Sequence, residues 1–246
     1  MPQRGASTRF HIVCSDQSRN GKTLIARLLC DYLILCRRAP LIFDAAPAPG
    51  GLRSYFPARA LKVELSTAAG QMALFDRALA LPRKDCVVDL PAHLLAGVAD
   101  LMRQIGFGEE THTPGLEVVV LFVVDRSVDS LLAARKLRAL LRPARFIIVK
   151  NEAILTADFD RLARFLYDGL AKEGQIAIPL LDREATAVID DRTFSFRRFA
   201  EENPTGMPRQ ICGSIEDFLG RVFRQFDSLG LAPDSEPRAA AGIQAP

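Results

Sequence analysis

The sequence predicts an α/β protein with a mostly parallel central sheet flanked by helices on both faces. Three observations carry this. Short runs rich in Val and Ile alternate with helix-length patterned segments along the chain, which is the signature of βαβ units. The run "VVVLFVV" at 118–124 is apolar at every position. Both its faces must therefore be covered, as in a central parallel strand. Finally, 246 residues with 49% hydrophobic and 25% charged composition suffice for a full globular core.

Taken in order, the first strand is Phe10–Cys14, from "FHIVC". A helix with an apolar stripe over Lys22–Arg37 follows. Leu41–Phe43 is the next strand, and the Pro- and Gly-rich stretch 45–58 reads as a loop. A helix over Ala68–Leu79 leads to a strand at Cys86–Val88, then a helix over Leu94–Ile105. The apolar strand 118–124 precedes a helix over Asp129–Leu141, a strand at Phe146–Val149 and a helix over Asp158–Ala171. Ile176–Ile178 is a further strand, and the Pro- and charge-rich 190–213 reads as a loop. The last helix, 214–229, aligns Ile215, Phe218, Leu219, Val222, Phe223, Phe226 and Leu229 on one face. Ser214 and Asp217 resemble a capping box at its start. Its polar face mixes both charge signs, so it is expected to dock on its own sheet rather than on a membrane. The expected organisation is a flexible N-terminus at 1–8, a single domain at 9–230 and a disordered tail at 231–246.

Composition excludes several function classes. The net charge of +3 is too small to indicate nucleic-acid binding by itself. Cys14, Cys30, Cys36, Cys86 and Cys212 form no CxxC pair, so a reducing cytoplasm without disulfides is expected. The segment "MPQRGASTRF" lacks the apolar core of a secretory signal. The apolar run 118–124 is far too short to span a bilayer, so no transmembrane segment is expected. His11, His93 and His112 are scattered without zinc-ligand spacing. No G-x-S-x-G elbow is present.

The chemistry concentrates just after the first strand. Gly21-Lys22-Thr23 matches the second half of the phosphate-binding motif G-x-x-x-x-G-K-[ST], while Asp16 stands where its first glycine belongs. At average composition the bare triplet occurs by chance in roughly one chain of this length in ten, so its placement is what counts. It follows a strand directly and opens a helix. There, main-chain amides of Ser18, Arg19, Asn20, Gly21, Lys22 and Thr23 would curl around a phosphate tail. The Lys22 ammonium would reach the β- and γ-phosphates, and the Thr23 hydroxyl would bind Mg²⁺. A lysine merely exposed in a first helical turn fits worse, because the helix dipole disfavours it there. Three strands end in aspartate, at Asp44, Asp89 and Asp125. In a parallel sheet those ends share the edge where the loop sits. Asp89 is the expected Mg²⁺ partner, Asp44 the residue near the metal or positioning a water, and Asp125 a turn residue.

These stretches resemble the ParA/MinD group of P-loop ATPases, over about Phe10 to Pro179. The matching segments are "QSRNGKT" (17–23), "FDAAP" (43–47), "VDLP" (88–91) and "FIIVKNE" (146–152). The resemblance implies a P-loop NTPase-like fold, ATP with Mg²⁺, slow hydrolysis to ADP and phosphate, and a nucleotide-dependent homodimer with a protein partner. It makes Lys22 and Thr23 the phosphate and metal residues. Asp44 would align the attacking water, Asp89 would hold the metal water, and Asn151 would contact adenine. From its place alone, Asn151 reads equally as a residue capping a strand end. The family's signature lysine falls at Gln17, and its two glycines fall at Ser18 and Arg19. A guanidinium matches phosphate geometry, so Arg19 is a candidate replacement for the missing cation.

Arg135, Lys136, Arg138, Arg142 and Arg145 form a basic run. It reads as a solvated helix face or as a non-specific DNA contact. Three functions follow: an ATPase switch that positions a cargo, a P-loop small-molecule kinase or ligase, or a nucleotide-binding assembly module that has lost hydrolysis.

Overall fold

The structure is a computed structural model that describes residues 8–47, 50–80, 84–154, 159–202 and 206–232. In chain order its elements are β1 (Thr8–Cys14), α1 (Lys22–Leu35), β2 (Leu41–Asp44), β3 (Ala60–Lys62), α2 (Ala68–Leu79), β4 (Cys86–Asp89), α3 (Leu95–Gln104), β5 (Leu116–Val124), α4 (Val128–Leu140), β6 (Arg145–Asn151), α5 (Arg161–Leu170), β7 (Gln175–Ile178), α6 (Arg183–Asp190), α7 (Phe196–Glu202) and α8 (Arg209–Ser228). The seven strands form one sheet in the order β3-β2-β4-β1-β5-β6-β7. Every pairing is parallel. All strand C-termini therefore meet at one edge.

The alternation of side chains in β5 divides the core into two layers. Val118, Val120, Phe122 and Val124 face α2–α5, while Val119, Leu121 and Val123 face α1 and α6–α8. Each such buried side chain contributes about 1.5–3 kcal/mol of transfer free energy. The sheet is thus covered on both faces, as the continuous apolar run at 118–124 requires.

Several expectations shift. The last helix begins at Arg209, not at Ser214, with Pro208 at its N-cap position. Proline needs no N–H acceptor and its fixed φ suits a helix start, so Ser214 lies inside the helix rather than forming a capping box. The stretch 190–213, read as a loop, holds α7 and the first turn of α8, and α6 precedes it. β3 is a short edge strand inside a sequence without β signal. Asp158, the expected start of the helix that becomes α5, lies outside the described residues; Asp160 caps that helix by accepting from the Ala163 N–H at 2.8 Å. Leu231 and Ala232, assigned to the tail from their sequence, are buried in the core.

At the edge where strands begin, two arginines hold the end of α8. Arg145 Nη2 donates to the Leu229 carbonyl at 2.7 Å, and Arg9 donates to the Gly230 carbonyl and to Glu117 at 2.6 Å. No described helix is long and apolar enough to cross a membrane.

Candidate functional site

The site lies at the opposite edge, where β1 hands over to α1. Residues 15–21 form a closed bend between them. Ser15 Oγ accepts from the Gln17 N–H at 3.1 Å and from Asn20 Nδ2. Asn20 Nδ2 also donates to the Val123 carbonyl at 3.2 Å, which pins the bend to the end of β5. Asn151, at the end of β6, donates from Nδ2 to the Asn20 carbonyl at 3.2 Å. Lys22 folds back across the bend, with Nζ donating to the Gln17 carbonyl at 2.5 Å and to Asn20 Oδ1 at 3.1 Å.

Gly21 caps α1 at φ 92°, a left-handed conformation that side-chain-bearing residues rarely adopt. A Cβ there would stand 2.4 Å from Asn151 Nδ2. No side chain caps this helix start, whose first N–H groups have no intrahelical acceptor, and Gly21, Lys22 and Thr23 line the cleft beside the bend. Arg19 holds φ 61°, a left-handed backbone at one of the positions where the resembled family carries glycine, and its side chain is exposed.

A cleft of about 810 Å³ opens beside the bend, lined by Asp16 to Arg19, Gly21 to Thr23, Ala46, Pro47, Asp89, Pro91, Ala92 and His93. Lys22 is 9% exposed. Burial pulls its pKa down, opposed first by the Asp89 carboxylate. Thr23 Oγ1 donates to Asp89 Oδ2 at 2.6 Å. Asp89 is 3% exposed and its pKa is pushed up to about 6, chiefly by burial, against the Thr23 hydrogen bond and the Lys22 charge and with the help of Asp44. Asp44 and Asp89 are register partners on β2 and β4.

The structure sorts the expected residues into two groups. Gly21, Lys22, Thr23, Asp89, Ser18 and Arg19 meet at the cleft. Three others have engaged side chains. Asn20 is buried and bonded to Ser15 and Val123. Asn151 is 5% exposed, and its Oδ1 accepts from the Ala153 N–H at 3.1 Å. It therefore braces the bend. Asp44 accepts from the N–H groups of Ala46 at 2.9 Å and Arg53 at 2.7 Å, so both carboxylate oxygens hold the 45–58 segment. Asp125 forms the expected turn, accepting from Ser127 N–H and Oγ at 2.7 and 2.6 Å.

Two cleft residues escaped the sequence reading. Asp16 Oδ1 accepts from Ser130 Oγ at 2.8 Å, tying the bend to α4. His93 follows Asp89 in "DLPAH", a signal that was present in the sequence but read as a scattered histidine. The basic run does not form one free patch. Arg138 pairs with Glu173 and Arg145 holds Leu229, whereas Arg135, Lys136 and Arg142 are exposed.

The donor set suits Mg²⁺ carried with phosphate. Among the described residues no cluster of three His, Cys, Asp or Glu side chains can cage a metal alone. Mg²⁺ keeps several waters and takes one or two protein ligands plus substrate phosphates, which Thr23 and Asp89 can supply. Asp16 and Asp89 also place two carboxylates on the cleft wall, a charge that a divalent cation would balance.

No protein-family model matches the chain, and no curated protein matches it. Among solved structures, it is similar to a plasmid partition protein from Borrelia burgdorferi at 12% identity, covering 87% of this chain and 97% of that one, with a TM-score of 0.46. It is likewise similar to the MinD cell division protein of Aquifex aeolicus at 14% identity, covering 87% and 98%, with a TM-score of 0.44. The MinC:MinD complex of Aquifex aeolicus gives 14% identity, coverage of 89% and 96%, and a TM-score of 0.44. These likenesses concern the fold. What the cleft can do rests on its own atoms.

Proposed function

We propose that the chain binds ATP with Mg²⁺ in this cleft and works in the cytoplasm as a slow ATPase switch of the ParA/MinD type. In this role it positions a cargo through a protein partner. One observation carries the reading: Lys22 lies across a closed bend at a helix N-terminus, with the Thr23–Asp89 pair beside it in the same cleft. Convergent amides and a helix start hold an anion. Lys22 would leave the Gln17 carbonyl for the phosphates, and Thr23 and Asp89 would hold the metal and its water. Bound Mg²⁺ would neutralise charge on the β- and γ-phosphate oxygens.

The test is equilibrium binding of ATP·Mg²⁺ to wild type and Lys22→Ala. A charged hydrogen bond is worth about 1.5–3 kcal/mol, so the variant should bind about 10- to 100-fold more weakly. Equal affinity removes the reading. A second reading, a nucleotide-binding module without hydrolysis, is favoured by Asp44. Both its oxygens are engaged by backbone N–H groups, which leaves little to orient an attacking water. Phosphate release from wild type under ATP·Mg²⁺ separates the two.

A further inference from the structure

Outside the bend, the cleft is lined by Ala46, Pro47, Asp89, Pro91, Ala92 and His93. Four of these are apolar and one is acidic. Among the described residues of this wall, His93 is therefore the side chain that can donate a hydrogen bond to an anion. Its placement is specific. It sits in the short turn Ala92–Leu94 directly after β4, and the Leu94 N–H donates to the Pro91 carbonyl at 3.1 Å to close that turn. Pro91 is locked at φ −60°, so the backbone that presents His93 is stiff.

The two walls divide the work. The bend supplies amides and Lys22 to phosphates near the helix start. Bound Mg²⁺ would neutralise charge on the terminal phosphates, and its expected ligand Asp89 belongs to the His93 wall. That wall is thus the side of the terminal phosphate. Resting on the phosphate-loop reading above, we infer that His93 contacts the terminal phosphate of a nucleoside triphosphate and discriminates triphosphate from diphosphate. His93 is exposed, so its removal leaves the core packing intact.

The experiment is calorimetric titration of wild type, His93→Ala and Lys22→Ala with ATP·Mg²⁺ and with ADP·Mg²⁺ in parallel. His93→Ala should bind ATP about tenfold more weakly, the loss of one hydrogen bond to a charged group, with ADP affinity held within about twofold. Unchanged ATP affinity, or an equal or greater fall for ADP, overturns the role of His93 while leaving the phosphate-loop reading standing. Wild-type affinities that match those of Lys22→Ala for both nucleotides overturn the phosphate-loop reading itself, and the role of His93 with it. The triphosphate-to-diphosphate ratio is a readout that a merely structural histidine would not move.

Discussion

At the scale of single residues, two buried titrating groups pull stability in opposite directions. Asp89 is raised to about 6 by burial. An acid raised above its unfolded value of about 4 stabilises the fold below that value, and the contribution is lost as pH climbs through about 6. His11 is fully buried on β1, and neither ring nitrogen has a hydrogen-bond partner among the described residues. Burial first, then the charges of Arg9, Arg38 and Arg145, lower its pKa from 6.5 to about 3. Its contribution is present above 6.5 and is lost as pH falls toward 3. Between about 4 and 6 the two slopes, each near 1.4 kcal/mol per pH unit, offset one another. Replacing Asp89 by Asn removes one of them. Urea unfolding at several pH values should show wild type losing stability relative to Asp89→Asn as pH rises from about 4 to 6, by a total on the order of 2–3 kcal/mol. A pH-independent difference would refute the burial assigned to Asp89.

At the scale of elements, α1 does more than begin at the bend. Arg27, one turn beyond Thr23, is buried and donates to the Ile189 carbonyl at the end of α6, 2.8 Å away. Its guanidinium lies 3.5 Å from the Tyr55 ring centroid and 4.9 Å from that of Phe196. A turn further on, Asp31 accepts from Ser195 Oγ at 3.5 Å, just ahead of the first turn of α7. One helix therefore joins the bend, the 45–58 segment, α6 and α7. Arg27→Ala should cost about 2–4 kcal/mol through the lost packing, cation–π contacts and hydrogen bond. Hydrogen exchange in α7 should accelerate while β5 stays protected; a loss below about 0.5 kcal/mol would show that α6 and α7 stand without it. This network explains what the sequence concealed. β5 and α1 were legible because their periodicities are strong and uninterrupted. α6 and α7 were not, because Arg27, Asp31 and Tyr55 lie far away along the chain and nothing local marks their partners. Pro208 hid the start of α8 in the same way: a proline in a charged, Gly-containing stretch reads as a breaker until a helix is seen to follow it.

For the whole molecule, the parallel sheet explains why the cleft was legible in part. Once β1, β2, β4 and β5 run the same way, Gly21, Asp44, Asp89 and Asp125 must share an edge. Which of those groups reaches the cleft is decided by backbone N–H groups competing for the carboxylates, and no spacing records that contest. Asp44 and Asp125 are taken by their own loops, while Asp89 is left with Thr23. The rim of the cleft at Gln17 to Arg19 is exposed, and is free for a second copy to cover if the nucleotide-dependent homodimer expected from the sequence forms. Light scattering should then show the mass rising from the 27.0 kDa chain toward twice that value with ATP·Mg²⁺. A single-chain mass in both conditions would exclude the dimer.

The arginine clasp under the sheet has a practical corollary. Thr8 opens β1, and Arg9 beside it grips Gly230, so both ends of the described chain emerge together on the face turned away from the cleft. A probe attached at Thr8 or Ala232 would therefore sit on that underside, away from the mouth of the cleft. Titrations read through such a probe would thus sample the same binding site as unlabelled protein.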